Sequence, residues 1–108
     1  MSSHAAEGLA RLERELLAEK AAALSRIASS LEGLILELKR LDESRMESRG
    51  MQREEMEAAR EAALARARLF RWYLEVQREA LGLLRHDRLD EFYPLPRSLR
   101  GRPSGPAG

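Results

Sequence analysis

The stretch "RMESRGMQREE", Arg45 to Glu55, decides how this chain is folded, because Gly50 sits near the middle of a region that otherwise reads as helix. Glycine takes the left-handed conformation just past a helix end without steric cost, and Met46 and Met51 fall where a Schellman motif places its apolar contact. A turn here predicts two helices of similar length, about 4 to 49 and 52 to 92, each about 60 to 70 Å long at 1.5 Å per residue. The rival is a single helix of about 90 residues in a parallel dimer, since one glycine costs only about 1 kcal/mol against alanine.

Size pairing favours the turn. If the helices run antiparallel about Gly50, facing residue numbers add to about 99 or 100. The small side chains Ala58, Ala59, Ala62, Ala63, Ala65 and Ala67 then come opposite Leu34, Ile35, Leu36, Leu38 and Leu41, as interdigitated packing requires. The expected fold class is therefore all-α: a long antiparallel helical hairpin, coiled-coil-like, over residues 1–93, followed by a Pro/Gly/Arg-rich tail over 94–108.

The composition agrees. Charged residues make up 34% of the chain and aromatics 5%, with leucine and alanine carrying the apolar share. Valine occurs once (Val76), isoleucine twice (Ile27, Ile35) and threonine never, so strands lack the β-branched residues they favour.

In helix one, Ile27, Leu31, Leu34, Leu38 and Leu41 step by four and three, the spacing that keeps one stripe against a partner helix. Upstream the stripe runs Leu9, Leu12, Leu16, Leu17 and Leu24 and slips at Leu16–Leu17 and Lys20. Ser29 with Glu32 makes a capping-box pattern, but no proline or loop cluster precedes it, so a continuous helix is expected, kinked or closely approached near Gly33. Helix two has a wider apolar face, with Leu69, Phe70, Tyr73, Leu74, Val76, Ala80, Leu81, Leu83 and Leu84 over half its circumference. One neighbour cannot cover so wide a face, whereas two hairpins packed as a homodimeric four-helix bundle can. The residues assigned to self-association are Leu24, Ile27, Leu31, Leu34, Leu38, Leu69, Phe70, Leu74, Leu81 and Leu84.

Chemistry finds little foothold. Cysteine is absent, which removes disulfides and thiolate metal sites. Neither His4 nor His86 belongs to a Glu-x-x-His pair, so a di-iron bundle centre is not encoded. His86 with Asp90 at i+4 is read as a solvated pair near a helix C-terminus, where histidine suits the dipole. Ser25, Ser29, Ser30, Ser44 and Ser48 have no histidine nearby in sequence, the chain has no nucleophile elbow, and Gly33, Gly50 and Gly82 are isolated, so no phosphate loop is present. No enzyme activity, cofactor, metal or small-molecule substrate is expected. No apolar run of 18 residues exists and no basic-then-apolar start, so membrane insertion is not expected and a cytoplasmic location is the default.

Charge separates the tail from the body. Residues 1–93 are close to balance, whereas 94–108 carry Arg97, Arg100 and Arg102 and no acid. Three arginines give only weak, salt-sensitive phosphate attachment, so nucleic acid is not the partner expected. All five aromatics, Phe70, Trp72, Tyr73, Phe92 and Tyr93, fall in the second half. Trp72 lies at the edge of the core face, and tryptophan and tyrosine are over-represented at protein interfaces. Past Phe92, Pro94 and Pro96 exclude helix and leave Tyr93, Leu95 and Leu99 on extended chain. The partner-binding residues expected are Trp72, Tyr73, Phe92, Tyr93, Leu95, Arg97, Leu99 and Arg100. The competing expectation is that Phe92, Tyr93 and Leu95 fold back against Leu9 and Leu12. "RPSGP", Arg102 to Pro106, has the PxxP spacing of proline-rich ligands.

A long hairpin over residues 5 to 92 resembles, in architecture, the stalk and chaperone proteins of bacterial secretion systems and the coiled-coil arms of prefoldin. It rests on no specific motif and carries over no functional residue. The expected role is a non-enzymatic scaffold or adaptor that self-associates and binds a protein. The alternatives are a secretion-type chaperone or stalk that takes a client helix on the hairpin face, and a nucleic-acid accessory protein using the tail.

Overall fold

The computed structural model describes residues 3–99. Arg100, Arg102 and the PxxP segment lie outside the described residues. The described chain is helical, with no strand, and is dominated by two long helices: α1, Ser3–Glu47, and α2, Gly50–Ala80, followed by the single turn α3, Leu89–Phe92.

Helix α1 is continuous for 45 residues. Ser29 and Glu32 lie inside it, and the expected close approach at Gly33 is absent, with open space where its side chain would be. Helix α1 ends when the Ser48 hydroxyl donates to the Ser44 carbonyl at 2.7 Å and also touches the Met56 sulfur at 3.4 Å, satisfying a terminal carbonyl from the side. Arg49 is then extended, and Gly50, at φ +62°, opens α2 instead of closing α1 in a Schellman motif. Met46 and Met51 are consequently left exposed, and Met56 takes the inward position.

The chain reverses between Glu47 and Gly50, since Asp42 meets Arg60 at 2.7 Å and Arg45 meets Glu57 at 3.8 Å. These pairs fall slightly further along α2 than numbers adding to 99 or 100 allow. Leu31, Leu34 and Leu38 from α1 are buried with Ala63, Leu64, Ala67 and Leu74 from α2 and with Leu89. Of the alanine run, only Ala63 and Ala67 take the small half of that packing, while Ala58, Ala59, Ala62 and Ala65 face solvent.

Helix two does not continue to residue 92. It stops at Ala80 in a Schellman motif: Gly82, at φ +85°, donates to the Glu79 carbonyl and Leu83 to the Arg78 carbonyl, both at 2.9 Å. The Arg78 guanidinium then bonds the Arg85 carbonyl at 2.7 Å and His86 Nδ1 at 3.3 Å, so a single arginine fixes the loop 81–88 with both its backbone and its side chain. His86 therefore sits half-buried in this loop, not on the solvated side of a helix, and Asp90 is paired with Arg71 at 2.8 Å.

Candidate protein-interaction surface

Three surfaces follow from these lengths. The first is the C-terminal segment, which doubles back along α2. Arg60, with its side chain 5% exposed, donates through Nε to Asp42 and through a terminal nitrogen to the Arg97 carbonyl at 3.0 Å. Glu61 accepts from the Ser98 hydroxyl at 2.9 Å and from the Leu99 amide at 2.7 Å. Two consecutive α2 residues thus hold a segment 37 and 38 positions away. Leu95 and Tyr93 pack against the core, and Ser98 is buried.

Tyr93, Leu95, Arg97 and Leu99 contact their own chain, through side chain or backbone, while Arg97 and Leu99 also stay exposed. One expectation is corrected, the fold-back onto Leu9 and Leu12. The segment does not cover the N-terminus: Leu9 and Leu12 stay exposed, as does Phe92. The extended backbone that Pro94 and Pro96 impose is what lets the segment run alongside α2.

The second surface is the first part of α1. This helix outruns α2, and the stripe buried from Leu31 to Leu38 continues as Leu9, Leu12, Leu16 and Leu17, all exposed. Where the cover ends, Ala21, Leu24 and Ala28 of α1 meet Leu74, Leu89 and Tyr93 around an open groove of about 220 Å³.

The third surface is the outer side of α2. Leu69, Trp72, Tyr73 and Val76 are exposed, Trp72 by 52%. The two aromatic members are packed in a chain of ring contacts. The half-buried Phe70 ring meets Tyr73 edge-on at 5.7 Å, and Tyr73 meets Trp72 at 5.6 Å. An aromatic cluster already held in place loses little freedom on binding.

The self-association set divides accordingly. Leu31, Leu34, Leu38 and Leu74 are buried inside one chain and have nothing to offer a second copy. Leu24, Ile27, Phe70 and Leu81 are partly buried, and only Leu69 and Leu84 are exposed. A core of leucines from one stripe cannot be assigned from sequence to internal or intermolecular burial, because both need the same spacing.

Among the described residues, no group of three His, Cys, Asp or Glu side chains is placed to hold a metal ion. No helix among them is long and apolar enough to cross a membrane. No family model matches the chain, and neither a curated protein nor a solved structure matches it.

Proposed function

We propose that the protein is a non-enzymatic helical scaffold or adaptor, a long antiparallel hairpin that self-associates and docks protein through the outer side of α2. The observation that carries this reading is Trp72, half exposed in a pre-packed aromatic cluster on the side of α2 away from the core. Tryptophan is among the residues enriched at the energetic centres of protein interfaces. The C-terminal segment, from which Arg97 and Leu99 are exposed, lies alongside and belongs to the same proposal as a secondary contact, with the Arg97 carbonyl, the Ser98 hydroxyl and the Leu99 amide held by Arg60 and Glu61. A cytoplasmic location belongs to the proposal and rests on the sequence alone.

Co-purification from the native host tests the reading. The Trp72→Ala chain should lose a partner that the chain lacking residues 94–108 retains. Recovery of the same partner by both variants would remove α2 as the docking surface.

A second reading, a chaperone or stalk that takes a client helix, is favoured by the leucine stripe of α1 that outruns α2. It predicts that Leu12→Glu with Leu16→Glu abolishes client capture while Trp72→Ala does not.

A further inference from the structure

The outer side of α2 has a regular spacing that the core does not explain. Ala58, Ala62, Ala65, Leu69, Trp72 and Val76 step by four, three, four, three and four, the rhythm of a coiled-coil seam, and every one of them is exposed. At 100° per residue this seam lies about 180° from the stripe of Ala63, Leu64, Ala67 and Leu74 that packs on α1. Helix α2 therefore carries two seams, of which its own chain fills one and borders the other at its first end, where Leu99 lies beside Ala58 and Glu61.

The sizes along the open seam are graded, with three alanines in its first half and three large side chains in its second. Such a gradient is self-complementary in one orientation only. Laid antiparallel on a copy of itself, Ala58 meets Val76, Ala62 meets Trp72 and Ala65 meets Leu69, small against large in every layer. Laid parallel, alanine meets alanine at one end and tryptophan meets tryptophan at the other.

We infer that the occupant of this seam is a second copy of the chain, paired antiparallel through α2 about a two-fold axis level with residue 67. This deepens the docking reading above and rests on its claim that the outer side of α2 binds protein. The seam is about 27 Å long at 1.5 Å per residue. Its exposed side chains offer on the order of 500 Å² per copy, about 1,000 Å² for the pair, the area at which a well-matched interface begins and below the roughly 1,200 Å² of tight ones. Because the two seams of α2 are opposed, the product is a flat row of four helices, α1–α2–α2–α1, not a closed four-helix bundle.

One flank opposes the pairing. Arg66 borders the seam beside the axis and comes near its own symmetry mate, whereas Arg68 on the other flank is already engaged within its own chain. Like charges there weaken association, so added salt strengthens it by screening them. This is the reverse of the behaviour of an interface held by ion pairs.

Sedimentation equilibrium of the full chain is the test. A dimer is expected whose dissociation constant falls as salt rises from 0.1 to 1 M, over which the screening length shrinks from about 10 to 3 Å. Trp72→Ala should raise that constant at least about tenfold. Adding Ala62→Trp to Trp72→Ala restores the size match across the antiparallel pair and should recover most of the loss. With no native cysteine to interfere, a mixture of Ala58→Cys and Val76→Cys chains should cross-link between the two variants more than within either. Leu12→Glu with Leu16→Glu should leave the dimer intact. Circular dichroism confirms that each variant remains helical. A chain that is monomeric at about 100 µM overturns the pairing, and so does cross-linking within single variants, or loss of the dimer in the Leu12/Leu16 variant. A monomer that still loses a captured partner on Trp72→Ala would separate the two claims, ending this one and sparing the docking.

Discussion

Arg60 is the residue on which the described chain converges. It is buried, it joins α1 through Asp42, and it holds the C-terminal segment through the Arg97 carbonyl. The Asp42 side chain is 34% exposed against 5% for Arg60, so deleting either partner has unequal results. Asp42→Ala leaves a guanidinium buried without its closest counter-ion, whereas Arg60→Met replaces the charge with an apolar chain and leaves a carboxylate that water can reach. The expected losses are about 3 kcal/mol for Asp42→Ala and about 1 kcal/mol for Arg60→Met in urea denaturation. Equal losses would show that burial of the arginine is not what makes the pair matter. At Gly82 the effect is one of backbone alone. A methyl group on its Cα would meet nothing within 4 Å, yet φ is +85°. Gly82→Ala should therefore cost about 1–2 kcal/mol by strain without a clash, lowering the midpoint of thermal unfolding by several degrees.

Among the elements, the two long helices are legible from composition and spacing, and the break between them from Gly50. The end of α2 is not legible from periodicity, since Leu81, Leu83 and Leu84 continue an apolar pattern. The available signal is Gly82 with a leucine after it and Arg78 in the preceding turn, which together spell a helix stop. Reading Gly82 only as an isolated glycine within helix two conceals it. The docking site of the C-terminal segment is equally hidden, because its partners Arg60 and Glu61 look like any surface pair on a charged helix until the fold buries one of them. The candidate surface fares better, since the aromatic cluster at Trp72 and Tyr73 stands out by residue type alone. Unequal helix lengths have a measurable result. Among the described residues no second helix covers the amides between Ala5 and Leu17, whereas those around Leu31 to Leu38 lie under α2. Hydrogen exchange should be fast in the first stretch and slow in the second, with protection rising through Leu24 to Ile27. Uniform protection along α1 would mean that something else covers its first turns.

The described residues form a rod of 75 × 26 × 19 Å with a radius of gyration of 19.5 Å. A compact chain of this size would have about 13 Å. The extra length comes from one element, since 45 helical residues span about 68 Å. Small-angle scattering at low concentration should return a radius near 19.5 Å for the single chain. A value near 13 Å would mean that α1 folds back on itself.

The bond from Arg60 to the Arg97 carbonyl also sets an order of events during synthesis. These residues are 37 positions apart, while Asp42 precedes Arg60 by only 18. At about 5–20 residues per second, Arg97 is made roughly 2 to 7 s after Arg60. Helix pairing takes far less time than that. The contact with Asp42 closes a loop of 18 positions and the contact with Arg97 one of 37, so the shorter closure, which costs less chain entropy and whose residues are made first, is expected to precede the longer.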